Sequence, residues 1–183
     1  MRERLLALMI PGLLAVPAAA QEPQETDTVR PAPCADNPRF RDFDFWLGKW
    51  RVTDNASGNL AGHNEIVAEE SGCVLVETWR GHKGSTGQSM NFFNPLMNEW
   101  RQLWVSGSSG GYAIDIAGGL SPAGAMVLEG EIFYFGAGNR FAFRGTWTPL
   151  EDGAVRQFFE QFDPDSQTWN SWFDGRYARM EDN

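Results

Sequence analysis

The segment Phe43-Asp44-Phe45-Trp46-Leu47-Gly48-Lys49-Trp50 decides the fold that the sequence predicts. Four of its eight residues are large aromatics, which carry more apolar surface than an exposed turn leaves in water, so we expect the segment to be buried. We predict a short helix over residues 39–47 that ends at Gly48, followed by a first strand that opens at Trp50. On this interpretation the segment is the plug and first strand of a closed antiparallel barrel.

Downstream of this segment, strand-like runs alternate with short turns rich in Gly, Asn, Asp and Ser. The predicted strands cover residues 50–53, 62–70, 73–81, 87–93, 100–106, 112–117, 125–133, 140–148, 154–162 and 168–177. No gap between them has room for the crossover helix that a parallel sheet requires. We therefore predict an all-β fold, a single antiparallel up-and-down barrel of about ten strands with a short N-terminal helix; a sandwich is the alternative for so many strands.

Two predicted hairpins share one sequence pattern. Phe93-Asn94-Pro95 is followed by Trp100, and Phe162-Asp163-Pro164 is followed by Trp169 at the same spacing. Asn or Asp before Pro favours a turn, and the flanking aromatics can pair across the two strands. We expect the same hairpin geometry at both places.

The N-terminal part of the chain predicts export. Residues 1–20 combine two early arginines, a 12-residue apolar run interrupted by Pro and Gly, and a small-residue cleavage site, as secretory signals do. The apolar run is too short to span a bilayer, so we expect no membrane attachment after cleavage. Residues 21–37 have the composition of a flexible linker, and residues 38–180 are predicted to form the barrel domain. The expected location is periplasmic or secreted.

Export changes the interpretation of the two cysteines. In an oxidising compartment Cys34 and Cys73 are expected to form a disulfide, which would attach the segment before the plug to the barrel wall. The alternative is a buried, apolar Cys73 and a free Cys34.

Charge and motif content exclude several classes of function. The net charge of −9 would repel a polyanion, so we predict no nucleic-acid partner. The only histidines, His63 and His82, lack the spacing of a metal site, and we predict no metal and no cofactor. Phosphate loops and nucleophile motifs are absent from the sequence, so no catalytic residue is assigned. The carboxylates Glu129 and Glu131 share one face, which we interpret as a charged outer surface rather than an acid/base pair.

The alternation of side chains within the predicted strands favours a cavity. Trp100, Gln102 and Trp104 share one face, as do Gln157 and Phe159, and such mixed aromatic and amide faces suit a pocket lining better than a dry core. The predicted ligand-binding residues are Trp79, Arg101, Gln102, Trp104, Trp147 and Gln157. The alternative is that these rings simply fill the barrel.

Gly48-Lys49-Trp50 resembles the Gly-x-Trp signature of lipocalins and related calycin barrels. The chain resembles more closely a family of exported bacterial lipocalin-like domains of unknown function. This likeness is carried by residues 43–50 and by Gly62-His63-Asn64, Gly72-Cys73-Val74-Leu75, Glu77-Thr78-Trp79 and Trp100-Arg101-Gln102. The resemblance implies a structural role for Trp50 at one barrel end, with Arg176 or Arg179 packed over it. Trp46 is predicted to be structural as part of the buried aromatic plug. Related nitrobindin-type barrels hold haem through a late histidine, and the chain has none after His82, so haem is not expected.

Three hypotheses for the function follow. The first is a barrel that binds a small, mostly apolar molecule without transforming it. The second is a cofactor-free isomerase, cyclase or hydrolase that uses a buried glutamate, Glu77 or Glu65, as general acid/base. The third is a protein-interaction or inhibitor module that uses the Gly-rich loop at residues 107–111. An inward-facing carboxylate among aromatics would favour the enzyme hypothesis, whereas the sequence leaves ligand and oligomeric state open.

Overall fold

The computed structural model describes residues 33–181 of the chain. The predicted signal peptide and the linker up to residue 32 lie outside the described residues. Ten strands follow one another: β1 (Gly48–Asp54), β2 (Leu60–Glu69), β3 (Val74–Gly81), β4 (Thr86–Asn94), β5 (Glu99–Ser106), β6 (Tyr112–Leu120), β7 (Met126–Tyr134), β8 (Asn139–Pro149), β9 (Val155–Asp163) and β10 (Thr168–Arg179). A single α-helical turn, α1 (Pro33–Asp36), and four 3-10 turns, Pro38–Arg41, Asp44–Trp46, Glu70–Gly72 and Ser108–Gly110, complete the described part.

The strands form one closed barrel. Each strand pairs antiparallel with its neighbours in the chain, and β1 pairs with β10 in a register that runs from Trp50 opposite Arg179 to Asp54 opposite Gly175. Every predicted strand overlaps one of these ten. The predicted all-β, up-and-down barrel of about ten strands is therefore confirmed, and the sandwich alternative is excluded because no sheet edge is left open.

The two hairpins that share this sequence pattern, β4–β5 and β9–β10, have the same geometry. Asn94 Oδ1 accepts from the backbone N–H groups of residues 96 and 97, and Asp163 Oδ1 accepts from those of residues 165 and 166. The flanking aromatics lie opposite each other, Phe93 with Trp100 and Phe162 with Trp169. The shared sequence pattern thus specifies two equivalent turns, as predicted.

The aromatic segment plugs one end of the barrel. Phe43 and Trp46 are fully buried and stacked, with ring centres 4.9 Å apart, and Phe43 packs edge-on against Trp147 at 5.2 Å and Trp100 at 5.6 Å. The predicted short helix consists of two 3-10 turns, Pro38–Arg41 and Asp44–Trp46, rather than one continuous element. The break between the turns lets aromatic side chains on both of them reach the core.

The segment before the plug is attached covalently to the barrel. A disulfide joins Cys34 in α1 to Cys73, which lies immediately before β3, with the two Cα atoms 5.1 Å apart, so the predicted bridge is confirmed. Arg179 rather than Arg176 covers Trp50. Arg176 instead forms an ion pair with Asp152 in the β8–β9 connection. Within residues 33–181, no helix is long and apolar enough to cross a membrane.

Candidate functional site

A cavity of about 290 Å³ lies in the half of the barrel away from the plug. It extends toward the β1–β2, β3–β4 and β5–β6 connections, because Ala61, Ser85 and Tyr112 beside those connections belong to its lining. Its aromatic walls are formed by Trp79, Trp104, Tyr112, Phe159, Trp172 and Phe173. Three polar side chains, Glu77, Gln102 and Gln157, face it from strands β3, β5 and β9. The interior therefore contains open space instead of being filled by rings.

Glycines in the barrel wall allow the aromatic rings to lie flat against the strands. A Cβ atom at Gly87 would overlap the Trp104 indole, and one at Gly175 would overlap the Phe173 ring. The same relationship holds for Gly145 with Phe159, whereas a Cβ atom at Gly62 would first meet the Arg80 backbone carbonyl and then the Trp79 ring. A glycine in a strand interior weakens the strand unless another group packs closely there, so Gly87, Gly145 and Gly175 are accounted for by the rings they accommodate. The glycines thereby keep the rings back against the wall.

A β-bulge in β10 places one further ring at the cavity. The register between β10 and β9 shifts between Ser171 and Phe173, which leaves Trp172 as the extra residue. The Trp172 ring packs against Tyr112 at 5.5 Å, and its indole N–H donates to the Tyr134 hydroxyl at 3.0 Å. Trp172 also lines a separate surface groove, which is bordered by Phe141 and Gln161, so its ring lies between that groove and the cavity.

A buried hydrogen-bonded network holds the Glu77 carboxyl group. Glu77 is 3% exposed; its Oε1 accepts from Asn64 Nδ2 and its Oε2 accepts from Ser89 Oγ, each at 2.6 Å. Asn91 Nδ2 donates to Ser89 Oγ at 2.8 Å, and Gln102 Nε2 donates to Asn91 Oδ1, also at 2.8 Å. The network therefore runs across strands β2 to β5 and fixes the orientation of a carboxyl group that faces the cavity.

Burial changes the acid strength of this carboxyl group. Desolvation raises the pKa of Glu77 from its ordinary value of 4.5 to about 7, although the hydrogen bonds from Ser89 and Asn64 oppose the shift. The pKa of Tyr177 is raised by its own burial and by the charge of Glu77. A carboxyl group with a pKa near neutrality can act as acceptor, counter-charge or proton-transfer group.

Four of the six predicted ligand-binding residues, Trp79, Gln102, Trp104 and Gln157, line the cavity. The structure places the other two elsewhere. Trp147 is fully buried, but its ring packs against Phe43 and Trp46 in the plug. Arg101 faces outward and binds both carboxylate oxygens of Asp115 at 2.8 and 2.6 Å, because residues 101 and 102 point to opposite faces of β5.

The remaining predicted carboxylates lie on the outer surface. Glu65 is exposed, which leaves Glu77 as the inward-facing member of the predicted pair. Glu129 is exposed opposite Arg144, and Glu131 pairs with Arg140 at 3.1 Å, as the charged outer face predicts. Within residues 33–181, no three His, Cys, Asp or Glu side chains lie together as a metal centre would require.

The sequence did not lead to several residues of the site: the wall residues Tyr112 and Phe173, the buried partners of Glu77, and Trp172. The buried partners of Glu77, namely Asn64, Ser89 and Asn91, occupy alternate inward positions on β2 and β4, so the polar residues within those strands were a usable signal. Trp172 had no such signal, because the bulge that places it depends on the pairing with β9.

A closed ten-stranded antiparallel barrel with one plugged end and an interior cavity defines the class of protein, and this architecture is compatible with a lipocalin-like fold. Comparison with models of known protein families gives no match, and comparison with curated proteins gives no similar sequence.

Proposed function

We propose that this protein is an exported lipocalin-like barrel that binds a small, mostly apolar molecule in its interior. The observation that carries the proposal is the cavity of about 290 Å³, walled by aromatic rings and faced by three buried amide or carboxyl side chains. Small-molecule sites typically combine an apolar lining with a few polar groups that fix orientation. The cavity lies at the small end of the usual range of ~300–1,000 Å³, so the ligand is small.

Two features support the exported part of the proposal. Residues 1–20 have the pattern of a secretory signal, and the Cys34–Cys73 disulfide suits an oxidising compartment. We propose a periplasmic or secreted location and membership of the exported bacterial lipocalin-like family that the sequence resembles. Mass spectrometry of the mature chain from the culture medium and periplasm would test this, with an N-terminus at Gln21 as the expected result.

Tryptophan fluorescence tests ligand binding directly. The disulfide-bonded chain is titrated with neutral single-ring compounds such as phenethyl alcohol, and a saturable change in emission is expected because Trp79, Trp104 and Trp172 line the cavity. Trp104→Leu should weaken binding, since it removes a wall of the site. The matched control is Trp169→Leu, because Trp169 packs against Phe162 and lies under Arg144 at 4.3 Å, outside the cavity lining. A flat wild-type response, or equal affinities for the two variants, would contradict the proposal.

A buried carboxyl group at the cavity also favours a second function, cofactor-free acid/base catalysis. With its pKa raised to about 7, Glu77 would hold its proton weakly enough to give it up and strongly enough to take one back near neutral pH. The reaction class is proton transfer at a carbon next to a carbonyl group, as in an isomerase. Hydrogen–deuterium exchange at that carbon of a phenyl ketone probe would detect it by NMR. Exchange that is no faster with wild type than with Glu77→Gln would exclude this function.

A further inference from the structure

The charge of the cavity lining selects the kind of ligand it can hold. Glu77 is the one acidic side chain among the lining residues, and no Lys, Arg or His is among them. His82 and Lys83 border a separate surface depression that shares only Ala61 and Ser85 with the cavity. A bound carboxylate or phosphate would therefore meet a like charge without a counter-ion in a desolvated site, which is strongly unfavourable.

The hydrogen-bonding groups of the lining also favour a ligand that donates hydrogen bonds over an anion. Three buried side-chain atoms of lining residues have no hydrogen-bond partner: the carbonyl oxygens of Gln102 and Gln157, which are acceptors, and the indole N–H of Trp104, which is a donor, so unpaired acceptors outnumber unpaired donors. Each carboxylate oxygen of Glu77 accepts one side-chain hydrogen bond and has capacity for another. Buried acceptors without partners are costly, so a ligand that carries several N–H donors would relieve this deficit.

The aromatic walls of the cavity also favour a positively charged ligand. Indole and phenyl ring faces attract a positive charge, by about 0.5–1 kcal/mol in exposed sites and by about 2 kcal/mol or more in desolvated ones. Trp79, Trp104 and Trp172 all contribute to the lining, and indole gives the strongest contact of this kind. Rings that surround one carboxylate can hold both the apolar body and the charged head of a small organic cation.

We propose that the ligand of this cavity is a small protonated amine with an apolar body, with Glu77 as its counter-charge and the side-chain oxygens of Gln102 and Gln157 as acceptors. This inference rests on the proposed ligand-binding function and specifies its ligand class.

Three probes with the same ring and nearly the same length test the charge preference: phenethylamine, phenethyl alcohol and phenylacetate. Calorimetric titration of the full mature chain at about pH 8 should give the tightest binding for the amine, which is a cation at this pH. We expect the amine to bind at least ~10-fold more tightly than the alcohol, and phenylacetate to bind most weakly.

The pH dependence identifies the group responsible. Glu77 becomes neutral as the pH falls below its pKa of about 7, whereas the amine remains charged, so amine affinity should rise with pH while alcohol affinity changes little. Tyr112 from β6 and Tyr177 from β10 are the other titratable groups at this position, and burial raises the pKa of both, which keeps them neutral throughout. Glu77→Gln should abolish the pH dependence and lower amine affinity ~10-fold, while the exposed Glu65→Gln control should match wild type.

The possible outcomes separate the two proposals. If the alcohol or phenylacetate binds as tightly as the amine, or if Glu77→Gln keeps full amine affinity, the amine proposal is wrong while small-molecule binding stands. If none of the three probes binds, both proposals fail. The probe series and its pH dependence use wild-type protein, so they decide the question even if Glu77→Gln does not fold.

Discussion

The guanidinium carbon of Arg179 lies 4.4 Å from the centre of the Trp50 ring, and these two residues are direct partners between the last strand and the first. Arg179 Nη1 also donates to the Leu47 carbonyl at 2.9 Å. Trp50 is fully buried, and its indole N–H donates to the Trp46 carbonyl, also at 2.9 Å. One arginine near the end of β10 therefore links barrel closure to the plug.

The first prediction concerns this closure. Arg179→Gln should lower the free energy of unfolding by about 1–3 kcal/mol, because it removes a cation–π contact and a charge-assisted hydrogen bond. Arg176→Gln, which removes the partly exposed ion pair with Asp152, should cost less than about 1 kcal/mol. Urea denaturation of both variants measures the difference, and equal losses would show that the contact with Trp50 contributes no special stability.

The second prediction concerns the disulfide. Replacing both Cys34 and Cys73 by Ser should lower the unfolding free energy by about 4 kcal/mol, because a bridge across 39 residues restricts the unfolded chain. Denaturant unfolding with and without reductant measures this loss. Reductant should destabilise wild type but leave the double variant unchanged. A wild-type protein that is insensitive to complete reduction would contradict the prediction.

The third prediction concerns pH and the buried Glu77. Since the folded-state pKa of about 7 lies above the ordinary value of 4.5, the folded protein binds the proton more tightly than the unfolded chain. Stability from this group is therefore greatest below about pH 4.5 and is lost as the pH rises through 7, by about 3 kcal/mol in total.

Comparison with a variant isolates this contribution. We compare the unfolding free energy of wild type with that of Glu77→Gln. The difference, wild type minus variant, should fall by about 3 kcal/mol between acidic and neutral pH, because the other titrating groups cancel in it. The difference in unfolding free energy between wild type and Glu65→Gln should not change with pH, since Glu65 is exposed. A flat difference for Glu77→Gln would show that this carboxyl group titrates normally.

The fourth prediction concerns cavity shape. Gly87→Ala would place a Cβ atom inside the Trp104 indole and should push that ring into the cavity. We expect phenethyl alcohol affinity to fall ~10-fold and stability to fall by about 1–3 kcal/mol, since overpacking strains the wall. The control is Gly119→Ala on β6, where a new Cβ meets only Arg39 Nη2 at 3.8 Å. Unchanged affinity in Gly87→Ala would show that Trp104 does not bound the binding space.

Strand periodicity predicts which face of the sheet a residue occupies, but it does not predict where along the barrel axis the residue lies. Alternation placed Gln102 and Trp104 on the inner face of β5, and both line the cavity. Trp147 is also on an inner face, yet it belongs to the plug, because alternation specifies the face but not the height along the barrel axis. Arg101 was assigned for its chemistry, although its position beside Gln102 places it outside, where it pairs with Asp115.

The sequence by itself was enough to predict about ten antiparallel strands, the buried aromatic plug and the pairing of Cys34 with Cys73, and the structure confirms all three. These features were predicted from local alternation, from turn residues and from the secretory-signal pattern of residues 1–20, all of which can be identified along the chain. Only the tertiary structure decided that Glu77 faces inward and that space remains beside it. The reason is that an internal cavity depends on distant pairs, such as Gly87 with Trp104, and on a bulge at Trp172 that arises only when β10 pairs with β9.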